Sequence, residues 1–303
     1  MQNLIGSICA LATPFRAEAL DLAAFGRLID YQLAGGTQGL VVAGSTGEAH
    51  ALDQAEYDRL LSFAVERVAG RVPVLAGTGT ANTQKTIHAT RRAMSLGANA
   101  ALVVVPYYVR PTQAGLIAHY TAVAEQGGLP VVLYNVPSRT GSDMLPETVA
   151  TLAAHERIVG IKEARADAER IAATVALRSA KFVILSGDDA TCAQAMLAGA
   201  DGVISVVANV APGAMRALCD AARGGDAATA HARDSALADL YAASGVEPNP
   251  IPLKWCLSRI GIGSAELRLP LTPLSEAHHG RVQQVLDRLG LAAAVQQSHS
   301  SAA

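Results

Sequence analysis

Lys162 sits in the run Ile158-Val159-Gly160-Ile161-Lys162-Glu163-Ala164. A short apolar run of this kind reads as a buried strand, and lysine is rarely buried without a partner. An amine held among apolar groups loses much of its preference for the charged form. In that state it attacks carbonyl carbon and forms a Schiff base. The competing interpretation is a lysine that marks the solvated end of a strand. Gly44-Ser45-Thr46-Gly47-Glu48 offers backbone N–H groups in a glycine-flanked turn, suited to a carboxylate or a phosphate. Tyr134 ends another apolar run, where a phenol hydroxyl can carry a proton to a reacting carbon or nitrogen. Arg139 follows in the next loop with a planar fork that matches a carboxylate. Pro106-Tyr107-Tyr108 and Ser186-Gly187-Asp188-Asp189 close two further runs. Each has a bland counterpart: an ordinary turn, a packing tyrosine, a surface arginine.

The elements that must position these residues are legible as an alternation. Short runs rich in β-branched residues begin near Ile5, Gly39, Val72, Ala100, Pro130, Ile158, Phe182 and Gly202. Alanine-rich segments with helical spacing separate them. In Asp21 to Ala34, for example, Leu22, Phe25, Leu28, Ile29 and Leu33 form one apolar stripe. Asp53 with Glu56 reads as a capping box, Pro146-Glu147 as a first helical turn, and Gly97 as a stop after Leu96.

Eight successive βα units with no polar linker predict an α/β fold, a closed (β/α)8 TIM barrel spanning residues 1–213. An open doubly wound sheet would carry a glycine fingerprint after its first strand, and Ala12-Thr13-Pro14-Phe15 has none. Gly77-Thr78-Gly79 lacks the third glycine of a dinucleotide loop, and no Gly-Lys-Ser/Thr follows Gly44. Helical patterns continue over 214–295, clearest in Asp226 to Ala243 and Pro252 to Ile260, and predict additional C-terminal helices packed on the barrel. Residues 296–303 are small and polar and predict a disordered tail. Barrel enzymes carry their active residues at the C-terminal ends of strands, where all of the clusters above fall. That convergence favours chemistry at Lys162 over a solvated strand end.

Composition narrows the partners. Of 303 residues half are apolar, the net charge is −2, and no long block of like charge occurs. This disfavours nucleic acid or an anionic membrane as partner. No apolar run approaches the roughly 20 residues that cross a bilayer. The first residues, Met1-Gln2-Asn3-Leu4-Ile5, lack the pattern of a signal peptide. Cys9, Cys192, Cys219 and Cys256 are scattered without a CxxC pair, which fits a reducing cytoplasm and no zinc or disulfide framework. The histidines at 50, 88, 119, 155, 231, 278, 279 and 298 do not pair at metal-ligand spacing on a strand end, so no metal is expected.

In chain order, GSTGEA, AGTGT, PYYVRP, YNVPSRTG, GIKEA, LSGDD and GVISV resemble the pyruvate-dependent class I aldolase family, which includes the N-acetylneuraminate lyases. The similarity runs from about Ile5 through VEPNPIPLKW and LRLPLTP. The resemblance implies a (β/α)8 barrel in a homotetramer of tight dimers, with pyruvate held as a covalent Schiff base and no cofactor. It places the imine-forming lysine on Lys162, the proton-transferring tyrosine on Tyr134, and the pyruvate carboxylate contacts on Ser45 and Thr46. Tyr108 matches a tyrosine contributed across the dimer interface, completing a relay with Tyr134 and Thr46 or Ser45. Arg139 matches the arginine that holds the aldehyde substrate's carboxylate, and Gly187 and Ile204 match positions lining the pyruvate site.

The branch that condenses pyruvate with aspartate semialdehyde, in lysine and diaminopimelate synthesis, resembles this chain most. GSTGEA also resembles the sialic-acid lyase branch, since Ser45 stands where the condensing branch usually has threonine. Arg165-Ala166 replaces the small residue and glycine that usually follow KEA, adding a cation near the mouth. A related aldolase acting on a sugar-derived or hydroxylated 2-keto acid is therefore the second reading, with Arg139 favouring the first. A non-catalytic keto-acid-binding barrel is the third, disfavoured by Lys162, Tyr134 and Thr46 together. In lysine-inhibited relatives the effector pocket aligns with Ala49, His50, Gln54, Tyr57, Ala81, Lys85 and Tyr107. Ala81 and Lys85 replace the asparagine and glutamate that hold lysine there, which predicts weak or absent feedback by lysine.

Overall fold

Strands covered on both faces read as continuous runs of small and β-branched residues, because neither face meets water. Eight such runs form strands in the computed structural model, which describes residues 4–291. They are β1 (Gly6–Ala10), β2 (Gly39–Val42), β3 (Val74–Gly77) and β4 (Ala100–Val104), then β5 (Val131–Asn135), β6 (Ile158–Glu163), β7 (Val183–Ser186) and β8 (Gly202–Ser205). All neighbours are parallel, in sequential order, and β8 closes on β1. The chain is a (β/α)8 TIM barrel with flanking helices. Pro73 and Pro130, which have no N–H to give a ladder, stand just before β3 and β5 and set where those strands open.

Alternation divides the core into two layers. Ile8, Val41, Leu75, Leu102, Leu185 and Ile204 point inward and fill the barrel. Their neighbours, such as Cys9, Leu40, Val42, Leu133 and Ile161, face the surrounding helices. Gly77 permits the close packing of adjacent strand ends: a Cβ there would lie 2.1 Å from the Ala43 carbonyl oxygen.

The helical layer starts with α1 (Leu22–Ala34), whose N-cap Asp21 accepts the Ala24 N–H. A hairpin of Phe15–Arg16 with Ala19–Leu20 precedes it. Next come α2 (Gln54–Val68), opened by the Asp53/Glu56 capping box, and α3 (Thr83–Ser95), stopped before Gly97 at φ 90°. Then follow α4 (Gln113–Gln126), the one-turn α5 (Pro137–Thr140), α6 (Pro146–Ala153), α7 (Ala168–Val175) and α8 (Cys192–Leu197).

The helix α9 (Pro212–Arg223) packs on β1 and β8, so it completes the eighth βα unit, and the expected division at 213/214 falls inside it. Beyond it α10 (Ala227–Ser244) lies on α9, and α11 (Ile251–Arg259) and α12 (Glu276–Arg288) pack against α10. The expected tail 296–303 lies outside the described residues. The four cysteines are buried and unpaired. Among the described residues no helix is long and apolar enough to cross a membrane.

Candidate active site

The register of β5 and β6 pairs Tyr134 directly with Lys162, and Asn135 with Glu163. Because side chains alternate, one pair faces the barrel interior and the other the helices. Lys162 and Tyr134 take the inside. Lys162 is 4% exposed and Tyr134 7%. The Lys162 Nζ lies 4.5 Å from the centroid of the Tyr134 ring. The other buried lysine, Lys254, is held by Glu48 at 2.6 Å, whereas Lys162 forms no ion pair among the described residues. A carboxylate within electrostatic reach, Asp189, is turned toward the end of β8, where it accepts the N–H groups of Val206 and Val207 at 2.9 and 3.0 Å. Burial pushes the Asp189 carboxyl above its usual range.

The outward pair anchors a polar layer behind the lysine. The Asn135 amide donates to both oxygens of Glu163 at 3.0 Å and to Asp143 at 2.9 Å. Arg170, from α7, bridges Asp143 and Glu163. Burial lifts the Glu163 carboxyl, against the pull of these donors. At Asp143 burial acts in the same sense, but hydrogen bonds from Asn135, Arg170 and Arg165 outweigh it and hold the carboxyl below its usual range. Arg165 spends its charge here, on Asp143 at 3.0 Å and Asp167 at 2.8 Å.

The Gly44–Gly47 loop is framed by Ala43 and Glu48 in left-handed conformations, φ 52° and 50°. Strained backbone of this kind concentrates at functional loops. Thr46 is buried, and its hydroxyl accepts a hydrogen bond from the Asn249 amide at 2.9 Å. Two residues on, Glu48 is fully enclosed, bound by Lys254 and by the Arg268 N–H at 3.2 Å. Burial pushes the Lys254 pKa down, and the charge of Glu48 pulls it back up. Arg139, on α5, is exposed at the rim and donates to the Asn249 carbonyl at 3.1 Å.

Ser45, Tyr134 and Arg139 line one cavity of about 470 Å³, whose walls include Ala43, Leu102 and Val104. A limb of it reaches Ala49, His50, Tyr57 and Tyr107. Ile204 is buried beside Tyr134 in the barrel core. At Gly187 a Cβ would meet the Ala164 Cβ at 2.9 Å, so only glycine fits between β7 and the end of β6. Tyr108 stands apart: it is 90% exposed, at φ 72°, on a loop beside exposed Tyr107 and Val109.

Thus Ser45, Tyr134 and Arg139 share one cavity, and Lys162 stands beside Tyr134 without being among the residues that line it. Thr46, Gly187 and Ile204 are likewise not among the lining residues, and Tyr108 projects into solvent. The sequence assigns no role to Asn249 or Lys254, and Glu48 is legible only as the end of the Gly44–Glu48 turn. The Pro248-Asn249-Pro250 punctuation between two helical patterns is the one local signal of Asn249. No group of three or more His, Cys, Asp or Glu among the described residues is placed to hold a metal ion.

A chamber at the C-terminal mouth of a parallel barrel marks the chain as a TIM-barrel enzyme. The model of the dihydrodipicolinate synthetase family matches residues 3–289. The chain is 60% identical over 300 residues to the 4-hydroxy-tetrahydrodipicolinate synthase of Xanthomonas campestris pv. campestris, covering 99% of this chain and 98% of that one. It is 58% identical over 288 residues to the synthase of the same name from Xylella fastidiosa, with 95% of each covered.

Among solved structures, the dihydrodipicolinate synthase of Thermotoga maritima superposes with a TM-score of 0.93 at 43% identity, covering 95% of this chain and 99% of that one. The chloride-inhibited dihydrodipicolinate synthase of Acinetobacter baumannii, complexed with pyruvate, gives 0.94 at 40% identity over 95% and 100%. The chain belongs to the dihydrodipicolinate synthetase family and is a lyase-type enzyme.

Proposed function

We infer that this chain condenses pyruvate with L-aspartate 4-semialdehyde to give 4-hydroxy-tetrahydrodipicolinate, through a Schiff base on Lys162. The carrying observation is the enclosed Lys162 amine over the Tyr134 ring, without a carboxylate partner. The amine adds to the pyruvate ketone and water leaves, giving a protonated imine. A methyl C–H bond then breaks: its electron pair becomes the enamine C=C bond, and the C=N π pair returns to nitrogen. The proton passes to a relay of Tyr134, Thr46 or Ser45, and Tyr108 from a neighbouring subunit. The enamine carbon attacks the aldehyde, whose oxygen takes a proton. The substrate's own amine finally displaces Lys162 and closes the ring. Since the imine is itself the electron sink, the reaction needs no separate cofactor.

Ser45 and Thr46 hold the pyruvate carboxylate, with Gly187 and Ile204 shaping the wall, and Arg139 at the rim holds the carboxylate of the aldehyde. Arg139 supports this pairing over a sugar-derived substrate, and the cation of Arg165 is neutralised by Asp143 and Asp167 away from the chamber. The unpaired buried thiols support a reducing cytoplasm. The exposed Tyr107-Tyr108-Val109 loop supports a tight dimer, assembled further into a homotetramer. Exposed Lys85, in the first turn of α3 after the Asn82 cap, supports weak or absent feedback, because its ammonium repels a cationic amino acid.

The test is borohydride reduction with pyruvate, followed by peptide mapping. The expected result is one reduced pyruvate adduct, on Lys162, lost in Lys162→Ala together with at least about 10³-fold in kcat. An adduct on another lysine, or none, overturns the reading.

A further inference from the structure

The loop that follows β2 is tied down by two charges that stand outside the chamber. Glu48 closes the loop at φ 50°, fully enclosed, and each oxygen of its carboxylate has a different partner. The Lys254 Nζ, from α11, donates to Oε1 at 2.6 Å across 206 positions of sequence, and the Arg268 N–H donates to Oε2 at 3.2 Å. Phe15, beyond β1, joins these two segments: the Lys254 ammonium lies 4.3 Å and the Arg268 guanidinium 4.2 Å from its ring centroid. Two residues before it, the enclosed Thr13 hydroxyl donates to the Gly47 carbonyl at 2.7 Å.

The loop's carbonyls are therefore occupied. The Gly44 oxygen accepts the Ala49 N–H at 3.3 Å, the Ser45 oxygen accepts the Glu48 N–H at 3.2 Å, and the Gly47 oxygen is taken by Thr13. The N–H groups of Ser45 and Thr46 have no acceptor among the described residues. Ser45 lines the chamber, and spare backbone donors in a turn are what an incoming carboxylate needs.

We propose that Glu48 and Lys254 are a positioning pair that sets where the Ser45 and Thr46 N–H groups point, and so sets the affinity for the keto acid's carboxylate. The inference rests on the reading of this loop as the carboxylate holder. A carboxylate bound through both oxygens fixes the backbone that carries it, and neither enclosed partner can relax toward water. Charge makes the hold firm, since an ammonium–carboxylate hydrogen bond is about twice as strong as one between neutral groups. The double variant Glu48→Gln, Lys254→Met removes both charges together, which avoids stranding one of them in the interior. It leaves the loop free to turn its donors aside. Glu48 and Lys254 touch no substrate and move no proton.

Acetone, a ketone with no carboxylate, separates this role from plain support. Borohydride trapping on Lys162 is measured with pyruvate and with acetone for the unaltered enzyme, the double variant and Glu48→Gln. Urea melts and the KM for the aldehyde at saturating pyruvate accompany it. The unaltered enzyme is expected to trap pyruvate at far lower concentration than acetone. In the double variant the pyruvate concentration for half-maximal trapping rises at least about tenfold, while acetone trapping stays within about twofold. Glu48→Gln, which keeps an acceptor for the Arg268 N–H, shifts in the same direction by at least about threefold. The KM for the aldehyde stays within about twofold, because Arg139 stands on α5, outside the loop.

A double variant that folds and keeps the pyruvate half-point overturns the proposal. So does a loss of acetone trapping in parallel with pyruvate, which marks general damage to the chamber. If the double variant does not fold, Glu48→Gln decides with the same two ketones. An unaltered enzyme that does not prefer pyruvate over acetone overturns the carboxylate reading of the loop and this inference with it. A preference that the variants keep in full overturns this inference alone.

Discussion

Two lysines are enclosed among the described residues, and their surroundings are opposite. Lys254 faces Glu48 at 2.6 Å and lies 4.3 Å from the Phe15 ring centroid. Lys162 faces the Tyr134 ring and has no ion-pair partner among the described residues. An enclosed charge without a partner is costly, so an unpaired lysine amine in that place implies use. The apolar run around Lys162 announced it in the sequence, because a lysine inside a strand pattern is anomalous. Lys254, in the helical pattern IPLKW, was not legible, since its partner stands 206 positions away and periodicity carries no such information. Arg139 was legible as a carboxylate clamp but not as a donor to Asn249. Its two roles are separable. Arg139→Ala is expected to raise the KM for the aldehyde at least about tenfold while leaving borohydride trapping of pyruvate intact. Equal losses in both half-reactions would assign the arginine to holding the Asn249 loop instead.

At the scale of elements, the β-branched runs disclosed the eight barrel strands, and strand alternation then sets the site by arithmetic: a one-residue slip of β6 would exchange Lys162 for Glu163 on the inner face of the barrel. The Asn135–Glu163–Asp143–Arg170 layer resists that slip, and its members are dispersed over strands, loop and helix where no motif links them. Helical periodicity likewise could not say which surface α9 covers, so the eighth unit's helix was read with the segment that follows it. The joint between that segment and the β2 loop is the buried Glu48–Lys254 pair. Lys254→Met is expected to destabilise folding by about 3–5 kcal/mol, because it leaves the enclosed Glu48 carboxylate without its cation, held only by the Arg268 N–H. Adding Glu48→Gln should recover much of that loss, as removal of both charges costs less than removal of one. Urea melts of the single and double variants measure the difference, and additive losses would show that the pair is not coupled.

At the scale of the molecule, one chain holds a chamber that its own Tyr108 does not enter. The residue is 90% exposed, in a left-handed conformation, beside Tyr107 and Val109, which are exposed as well. A backbone held in that strained form with its ring in water is explained if a second subunit covers the loop and receives the hydroxyl. An isologous dimer then lends Tyr108 in both directions. Subunit complementation tests the exchange. Lys162→Ala and Tyr108→Phe are each expected to be severely impaired as homo-oligomers. After random reassortment about half of the tight dimers are mixed, and each mixed dimer assembles one intact chamber, from the lysine of one chain and the tyrosine of the other, so about a quarter of the original sites return. Recovery of that size requires the tyrosine to act across the interface. A mixture that reassorts, shown by mass spectrometry of the intact oligomers, yet stays as inactive as its components would place Tyr108 outside the partner's chamber and remove it from the relay.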